Sequence, residues 1–400
     1  MFWKKKMNIE ALHLKLDTVL SDAVENGDVP HAAGVVTNAS NLLYQGQVGP
    51  RRLGENTLLQ KDTVYWIHSM TKPLTTACVM QLVEQGRINL NYNCGKLIPA
   101  LDTPNVLEGF DSDGRPKLRP ACGEITLRRL LTHTAGFVYD NWNPDQRDWV
   151  NYTGTERSDF YNDATKCPPL GYDPGTCWEY GISIDWAGKV LEAITGQTLE
   201  VYLRTNLLEP LGMSSTGFML TDDIRNRLSG VHFRDTQGFI HAADIDVPED
   251  QDPRDFTGGG QLYGSAGDYA RFMRMILNKG ELDGIRVLNR DTVQLMSENH
   301  IGNIKVRPMP AAIPENTYPF ELYPGLDKRW GLSFMINMED IPGRRRAGSL
   351  AWGGLRNTYF WIDPASGLGA ALFTQMLPFV DPKTLTLLDK FEQAIYEEVQ

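Results

Sequence analysis

Residues 68–86 read HSMTKPLTTACVMQLVEQG, and this stretch predicts a buried helix with a serine at its start. Leu74, Cys78 and Leu82 recur at the four-residue spacing that places side chains on one helical face. Gly86 follows the last of them, and glycine favours the left-handed conformation in which many helices end. The rest of the chain is interpreted outward from this helix.

Ser69 and Lys72 are three residues apart, so one helical turn brings the amine to the side from which the hydroxyl projects. An alcohol is a weak nucleophile at neutral pH, and a lysine that has lost its proton can accept the hydroxyl proton during attack on a carbonyl. Burial favours that neutral form, and the flanking residues 65–67 (YWI) are apolar enough to supply it. By itself, the spacing is more typical of a serine helix cap followed by a solvated lysine than of a catalytic pair.

Length and charge limit the classes of partner. The chain has 400 residues with 42% apolar content, enough for one large domain or two closely packed ones. Its formal net charge of -11 gives no basic surface for nucleic acid or for anionic lipid. We therefore expect a small-molecule substrate and neither a nucleic-acid nor a membrane partner, while the oligomeric state is not determined.

The first residues of the chain bear on its location, and its cysteines and histidines bear on whether it binds a metal. Residues 1–6 (MFWKKK) are basic, but polar residues follow and no apolar signal core appears, so a cytoplasmic location is expected. The five cysteines contain no C-x-x-C pair and the seven histidines no H-x-x-x-H spacing. We predict no metal and no cofactor.

Strand patterns lie near both ends of the chain. Residues 32–37 and 42–45 are short apolar runs joined by NASN, which predicts a hairpin. Strands are also predicted over 332–336, 345–350, 357–362 and 368–374, with helices between the two groups. This order indicates an α+β fold with one antiparallel sheet. The predicted sheet domain comprises residues 1–68 and 205–400, and a mostly helical domain comprises residues 69–204.

Three separated segments occur in one order: residues 69–72 (SMTK), 180–183 (YGIS) and 352–354 (WGG). In this order they resemble the serine β-lactamase and penicillin-binding-protein superfamily, specifically its class C-like branch. Within that branch the chain is similar to family VIII carboxylesterases and lovastatin-type acyltransferases. The similarity extends over further stretches, namely LLTHTAG at 130–136, DWAGK at 185–189, PLGM at 210–213 and GGGQ at 258–261.

The resemblance implies a fold and a set of reacting groups. The fold is an antiparallel sheet flanked by helices with a mostly helical second domain, and the active site lies between them. Ser69 would be the nucleophile and Lys72 the residue that activates it. Tyr180 would carry a proton between Ser69, Lys72 and the leaving or entering oxygen, as a phenol can donate or accept.

The same resemblance places residues 352–354 on a strand beside the site. Glycines there let backbone approach the substrate, and the N–H groups of Leu355 and Ser69 would form an oxyanion hole. The substrate-binding residues predicted in this way are Trp352, Gly353, Gly354 and Arg356. Arg356 is included as a hypothetical contact for an anionic group.

Two positions depart from the β-lactamase pattern. Trp352 replaces the lysine that β-lactamases usually carry on this strand, and Ile182 replaces the asparagine of the class C Tyr-x-Asn pattern. Both changes favour uncharged esters over β-lactams.

The sequence therefore predicts a cofactor-free serine carboxylesterase that hydrolyses short-chain esters through an acyl-enzyme on Ser69. One alternative is acyl transfer to an alcohol, and another is weak β-lactam hydrolysis. A third is a non-catalytic penicillin-binding sensor, which the joint presence of Ser69, Lys72 and Tyr180 disfavours.

Overall fold

The computed structural model describes residues 7–399 apart from 157, 162, 164, 245–248 and 250. Its α-helices in chain order are α1 Ile9–Glu25, α2 Thr71–Glu84, α3 Leu127–Leu131, α4 Pro144–Thr153, α5 Ser158–Tyr161, α6 Ser183–Thr195, α7 Leu199–Leu203, α8 Asp222–Arg227, α9 Ala266–Leu277, α10 Arg290–Met296 and α11 Pro382–Glu397. Its strands are β1 Ala32–Asn38, β2 Leu42–Val48, β3 Val64–Trp66, β4 Asn105–Phe110, β5 Pro116–Pro120, β6 Val231–Arg234, β7 Ile240–Ala243, β8 Tyr263–Ser265, β9 Glu281–Leu282, β10 Ile285–Arg286, β11 Lys328–Trp330, β12 Met335–Asn337, β13 Leu350–Gly354, β14 Thr358–Asp363, β15 Leu368–Phe373 and β16 Met376–Leu377. No helix in this part of the chain combines the length and apolar character that a membrane span needs.

The largest sheet joins the two ends of the chain. Its strands lie in the order β11-β12-β13-β14-β15-β1-β2, and every neighbouring pair is antiparallel. β1 pairs with β15 so that Ala33 faces Phe373 and Asn38 faces Leu368. The predicted α+β class, with an antiparallel sheet assembled from N- and C-terminal parts, is confirmed. The division into domains at residues 68/69 and 204/205 stays a prediction.

Helices cover both faces of this sheet. Gly34 in β1 lies under α11, where a Cβ would be 2.5 Å from the Phe391 ring. Gly369 in β15 lies under α9, where a Cβ would be 3.2 Å from Met273. Gly369 is directly opposite Thr37, three residues from Gly34 on the same strand, and an odd separation puts side chains on opposite faces. α11 and α9 therefore pack on opposite sides of the sheet.

The helix predicted around residues 68–86 is α2, and it packs against α6 and α7. Every residue from Thr71 to Leu82 is buried, as expected for a helix enclosed on all sides. α2 begins two residues after Ser69 rather than at it, and Gly86 follows its end with a φ of 69°. The helix and its stop signal are confirmed.

Several other local signals mark the ends of elements correctly. β1 and β2 form the predicted hairpin. The Thr126 hydroxyl accepts from the N–H of Arg129 at the start of α3, and the Ser265 hydroxyl accepts from the N–H of Asp268 at the start of α9. These are the capping contacts expected when serine or threonine precedes a helix.

Two predicted strands are wrong in extent. Within 332–336 the chain turns, with the N–H of Gly331 donating to the carbonyl of Phe334, so β11 ends before this turn and β12 begins after it. The strand predicted over 345–350 begins only at its last residue. Arg345 instead points inward, where its Nε donates to a carboxylate of α11 at 2.7 Å.

A hairpin between α2 and α3 lies in the part predicted to be mostly helical. It pairs β4 with β5, and the Asp111 carboxylate accepts from the N–H groups of Asp113 and Arg115 in its turn. Residues 111–115 read DSDGR, a turn pattern that could have revealed it. The prolines at both ends of β5 obscure the strand signal on that side.

Candidate active site

Ser69 lies in a single 3₁₀ turn, His68–Met70, that leads into α2. The preceding residue, His68, has a φ of 44°, in the left-handed region that few residues other than glycine adopt. Its ring stacks on Trp66 with ring centroids 4.3 Å apart, a contact that stabilises this conformation. The turn thereby directs Ser69 toward a cavity instead of into the helix.

Lys72 is fully buried in the first turn of α2. Its Nζ donates to Ser69 Oγ at 3.1 Å, to the Tyr139 hydroxyl at 3.1 Å and to the Gly259 carbonyl at 2.5 Å. An ammonium group has three N–H donors, and three acceptors stand around this one. The alternative of a helix cap followed by a solvated lysine is therefore wrong, because the amine and the serine hydroxyl form a buried pair.

Tyr139 and Asp185 extend this group of contacts. The Tyr139 hydroxyl donates to Asp185 Oδ2 at 3.4 Å, and the N–H of Gly259 donates to Asp185 Oδ1 at 3.0 Å. Gly259 lies so close to that carboxylate that an added Cβ would be 2.3 Å from Oδ2. From the sequence, residues 185–189 and 258–261 stood out only as parts of the family resemblance, and no pattern marked Tyr139 as a site residue.

Tyr180 is buried beside the same lysine. Lys72 Nζ lies 4.7 Å from the centroid of the Tyr180 ring, so the amine faces the aromatic ring. The Tyr180 ring in turn contacts Trp352 and Tyr139, with ring centroids 4.8 Å and 5.1 Å apart. The structure therefore brings Ser69, Lys72 and Tyr180 together from distant parts of the chain, and the role of the phenol stays a prediction.

His133 supports the Tyr180 segment. Burial, and then the nearby charge of Lys72, hold the pKa of His133 well below its usual value, so the imidazole is neutral. Its Nδ1 accepts from the N–H of Gly181 at 3.4 Å, and its ring lies 4.8 Å from that of Tyr180. These contacts give this histidine a structural role.

The Trp-Gly-Gly segment lies on β13, an interior strand that packs against the turn carrying Ser69. A Cβ on Gly354 would be 2.3 Å from the Ile67 carbonyl, and one on Gly353 would be 2.9 Å from the Tyr359 ring. Only glycine permits this approach of strand and turn. Trp352 is buried and contacts the site through Tyr180.

A cavity of about 370 Å³ opens over these groups. Ser69, Tyr139, Trp142, Asp185, Gly259 and Leu355 are among the residues that line it. Leu355 follows β13 directly, so the two residues predicted to supply oxyanion N–H groups, Ser69 and Leu355, lie at one cavity.

Arg356 lies next to this cavity and is half-buried. Its guanidinium is 5.5 Å from the centroid of the Trp66 ring, which lines the cavity. Burial lowers the pKa of Arg356 to about 10, against the opposing effect of Tyr263. Its Nε is buried, and within the described residues it has no hydrogen-bond partner. The hypothesis of an anion contact is compatible with this surplus positive charge.

Comparisons with known proteins find similarity over nearly the whole chain. The profile of the beta-lactamase family matches residues 16–392. The chain is 33% identical to monacolin J acid methylbutanoyltransferase of Aspergillus terreus over 96% of either chain, and 29% identical to lovastatin esterase of Penicillium rubens over 96% of this chain and 98% of the other. Simvastatin synthase of Aspergillus terreus superposes with a TM-score of 0.84 at 31% identity, over 99% of this chain and 100% of that one.

Proposed function

Since this chain belongs to the beta-lactamase family, we propose that it is a serine enzyme that transfers an acyl group from an ester to an alcohol through a covalent intermediate on Ser69. The predicted β-lactamase and penicillin-binding-protein fold and the resemblance to lovastatin-type acyltransferases are confirmed. The observation that carries the proposal is the buried Lys72 amine, 3.1 Å from a serine hydroxyl at the cavity.

Acylation begins when Lys72, in its amine form, accepts the Ser69 proton as the Oγ–carbon bond forms. The N–H groups of Ser69 and Leu355 stabilise the oxyanion, and each such donor contributes about 3 kcal/mol in the transition state. When the ester C–O bond breaks, the hydroxyl of Tyr180 gives its proton to the departing oxygen and recovers one from Lys72. The acyl group remains on Ser69, and no net proton is gained or lost.

Deacylation repeats these steps in reverse with an alcohol in place of the departing group. Tyr180 passes its proton to Lys72 and accepts the alcohol proton as the alcohol oxygen attacks the acyl carbon. The bond between the acyl carbon and Ser69 Oγ then breaks, and Lys72 returns the proton to Ser69 Oγ. Water can follow the same route, which would make the enzyme an esterase. Transfer and hydrolysis therefore differ only in which oxygen nucleophile occupies the cavity.

We propose acyl transfer as the main reaction, whereas the sequence alone predicted ester hydrolysis. The relative named as a transferase is 33% identical, and the one named as an esterase is 29% identical. Aromatic rings of Trp142 and Trp66 line the cavity, and such walls bind an alcohol with an apolar body better than water. Hydrolysis is the second candidate because of the lovastatin esterase similarity. A cytoplasmic location stays a prediction.

The ratio of the ester product to the acid product tests whether transfer or hydrolysis is the main reaction. With p-nitrophenyl butyrate as donor and increasing amounts of an apolar secondary alcohol, we expect the new ester to replace butyric acid as the main product. Chromatography of both products gives their ratio, and p-nitrophenol release gives the total rate. Butyric acid as the sole product at every alcohol concentration would assign the enzyme to hydrolysis.

Arg356 gives a second prediction, about the acceptor. The Aspergillus terreus relative is named for an acid, and the Arg356 guanidinium lies 5.5 Å from the centroid of the Trp66 ring, which lines the cavity. We propose that the acceptor of this chain carries a carboxylate that contacts this guanidinium. Because a hydrogen bond to a charged group contributes about 1.5–3 kcal/mol, Arg356→Leu should raise KM roughly tenfold or more for a hydroxy acid.

The methyl ester of the same hydroxy acid provides the matched substrate, and its KM should not change in Arg356→Leu. Arg346→Leu removes an exposed arginine that pairs with Asp340, and it should leave both KM values unchanged. An equal rise for acid and ester in Arg356→Leu would mean that this arginine supports the cavity wall and does not bind a carboxylate.

A further inference from the structure

Asp185 and Tyr139 form a closed set of hydrogen bonds with the lysine of the site. Lys72 donates to Tyr139, Tyr139 donates to Asp185, and Asp185 accepts from the N–H of Gly259. The carbonyl of Gly259 accepts from Lys72 and closes the ring of contacts. All of these groups except Lys72 itself line the cavity, so the set stands beside the bound substrate.

The carboxylate determines the direction of these bonds. An ionised aspartate only accepts, so the Tyr139 hydroxyl must point its hydrogen at Asp185 and its oxygen lone pair at Lys72. An asparagine at position 185 would keep its oxygen on the N–H of Gly259 and present its amide hydrogens to Tyr139. The phenol hydrogen would then point toward Lys72. Two donors would face each other there, and the hydrogen bond from Lys72 to Tyr139 would be lost.

We propose that Asp185 is a positioning residue that acts through Tyr139 on Lys72, holding its Nζ against Ser69 and setting the pH above which Lys72 can accept the serine proton. This inference rests on the acyl-enzyme proposed above and adds a regulator of its first step. The 258–261 glycine stretch gains a role as well, since Gly259 provides both a donor for the carboxylate and an acceptor for the lysine.

The sign of the pH effect follows from the groups that face Lys72. These are Ser69 from the 3₁₀ turn, His133 and Tyr139 from the segments after α3, Tyr180 from the segment before α6, Asp185 from α6 and the carbonyl of Gly259. His133 is neutral, and tyrosine and serine side chains are ordinarily uncharged at neutral pH. With Asp185 accepting the phenol hydrogen, the Tyr139 oxygen accepts from the Lys72 ammonium and favours its protonated form. In Asp185→Asn that oxygen no longer faces Lys72, so the amine forms at lower pH.

The test measures acylation by p-nitrophenyl acetate in single turnovers as a function of pH. In Asp185→Asn the acid limb of the profile should move to lower pH by about one unit. In Tyr139→Phe it should also move down, because Lys72 loses an acceptor that favours its charged form. The double variant should show no larger shift than Tyr139→Phe alone, since the aspartate acts through the phenol.

Glu192→Gln is the matched control, because it removes one carboxylate charge from the same helix while Glu192 pairs with Lys189 away from the site. Its acid limb should stay in place. An unchanged limb in Asp185→Asn, or the full Asp185→Asn shift persisting on the Tyr139→Phe background, would overturn the proposal. If Asp185→Asn does not fold, an unchanged limb in Tyr139→Phe alone overturns it. Mass measurement of acetylated wild-type protein tests the acyl-enzyme independently.

Discussion

Replacing Ser69 with alanine should abolish acyl-enzyme formation and lower the rate of acyl transfer by about 10⁴-fold or more. The Ser69 hydroxyl is the group that forms the covalent bond. The Tyr139 hydroxyl also accepts from Lys72, but it donates its hydrogen to Asp185 and not to the amine. The measurements are the mass of the intact protein after reaction with p-nitrophenyl acetate and the steady-state rate.

The fold should survive this change. Lys72 keeps its bonds to Tyr139 and to the Gly259 carbonyl, so the lost hydrogen bond lowers the free energy of unfolding by only about 1–3 kcal/mol. Ser297→Ala serves as control, because that hydroxyl bonds to its own helix at Val293, and labelling should be normal. Full activity or full labelling in Ser69→Ala would refute the assignment of the nucleophile.

Gly354→Ala should lower kcat/KM by about a hundredfold or more. The added methyl would stand 2.3 Å from the Ile67 carbonyl and 2.5 Å from Thr358 Oγ1, so β13 must move away from the turn that carries Ser69. An oxyanion donor acts only within about 3 Å of the developing charge, and its loss costs about 10²–10³ in kcat. Overpacking of this kind also destabilises by roughly 1–3 kcal/mol.

Gly267→Ala is the matched control for that substitution. Position 267 lies in α9, where a Cβ would meet nothing nearer than Gln45 at 3.6 Å, and alanine is the better helix former. Thermal unfolding and ester turnover of the two variants separate a local clash from a general effect of removing glycine. If Gly354→Ala keeps wild-type kcat/KM, the Leu355 N–H is not an oxyanion donor.

Local patterns in the sequence predicted the elements whose cause is local. The four-residue periodicity of α2 depends on neighbours within one or two turns, and the helix it predicts is confirmed. The caps at Thr126 and Ser265 have equally local causes. Strand limits near Arg345 were wrong because the ion pair of that residue with Glu392, 47 positions away, competes with strand pairing. An ion pair with a distant residue does not change the local alternation of polar and apolar residues from which strands are predicted.

The same distinction applies to the site. Sequence alone determined that Ser69 and Lys72 would share a side of one helical turn, and a resemblance in three ordered segments determined the family and its fold. Only the tertiary structure decided which groups surround the amine, namely Tyr139, Asp185 and Gly259. These residues come from three segments separated by 46 and 74 positions, and their meeting depends on how α6 and the glycine segment pack on α2. Hydrogen bonds across such separations are fixed by packing of whole elements, because no regular backbone geometry relates one position to the other.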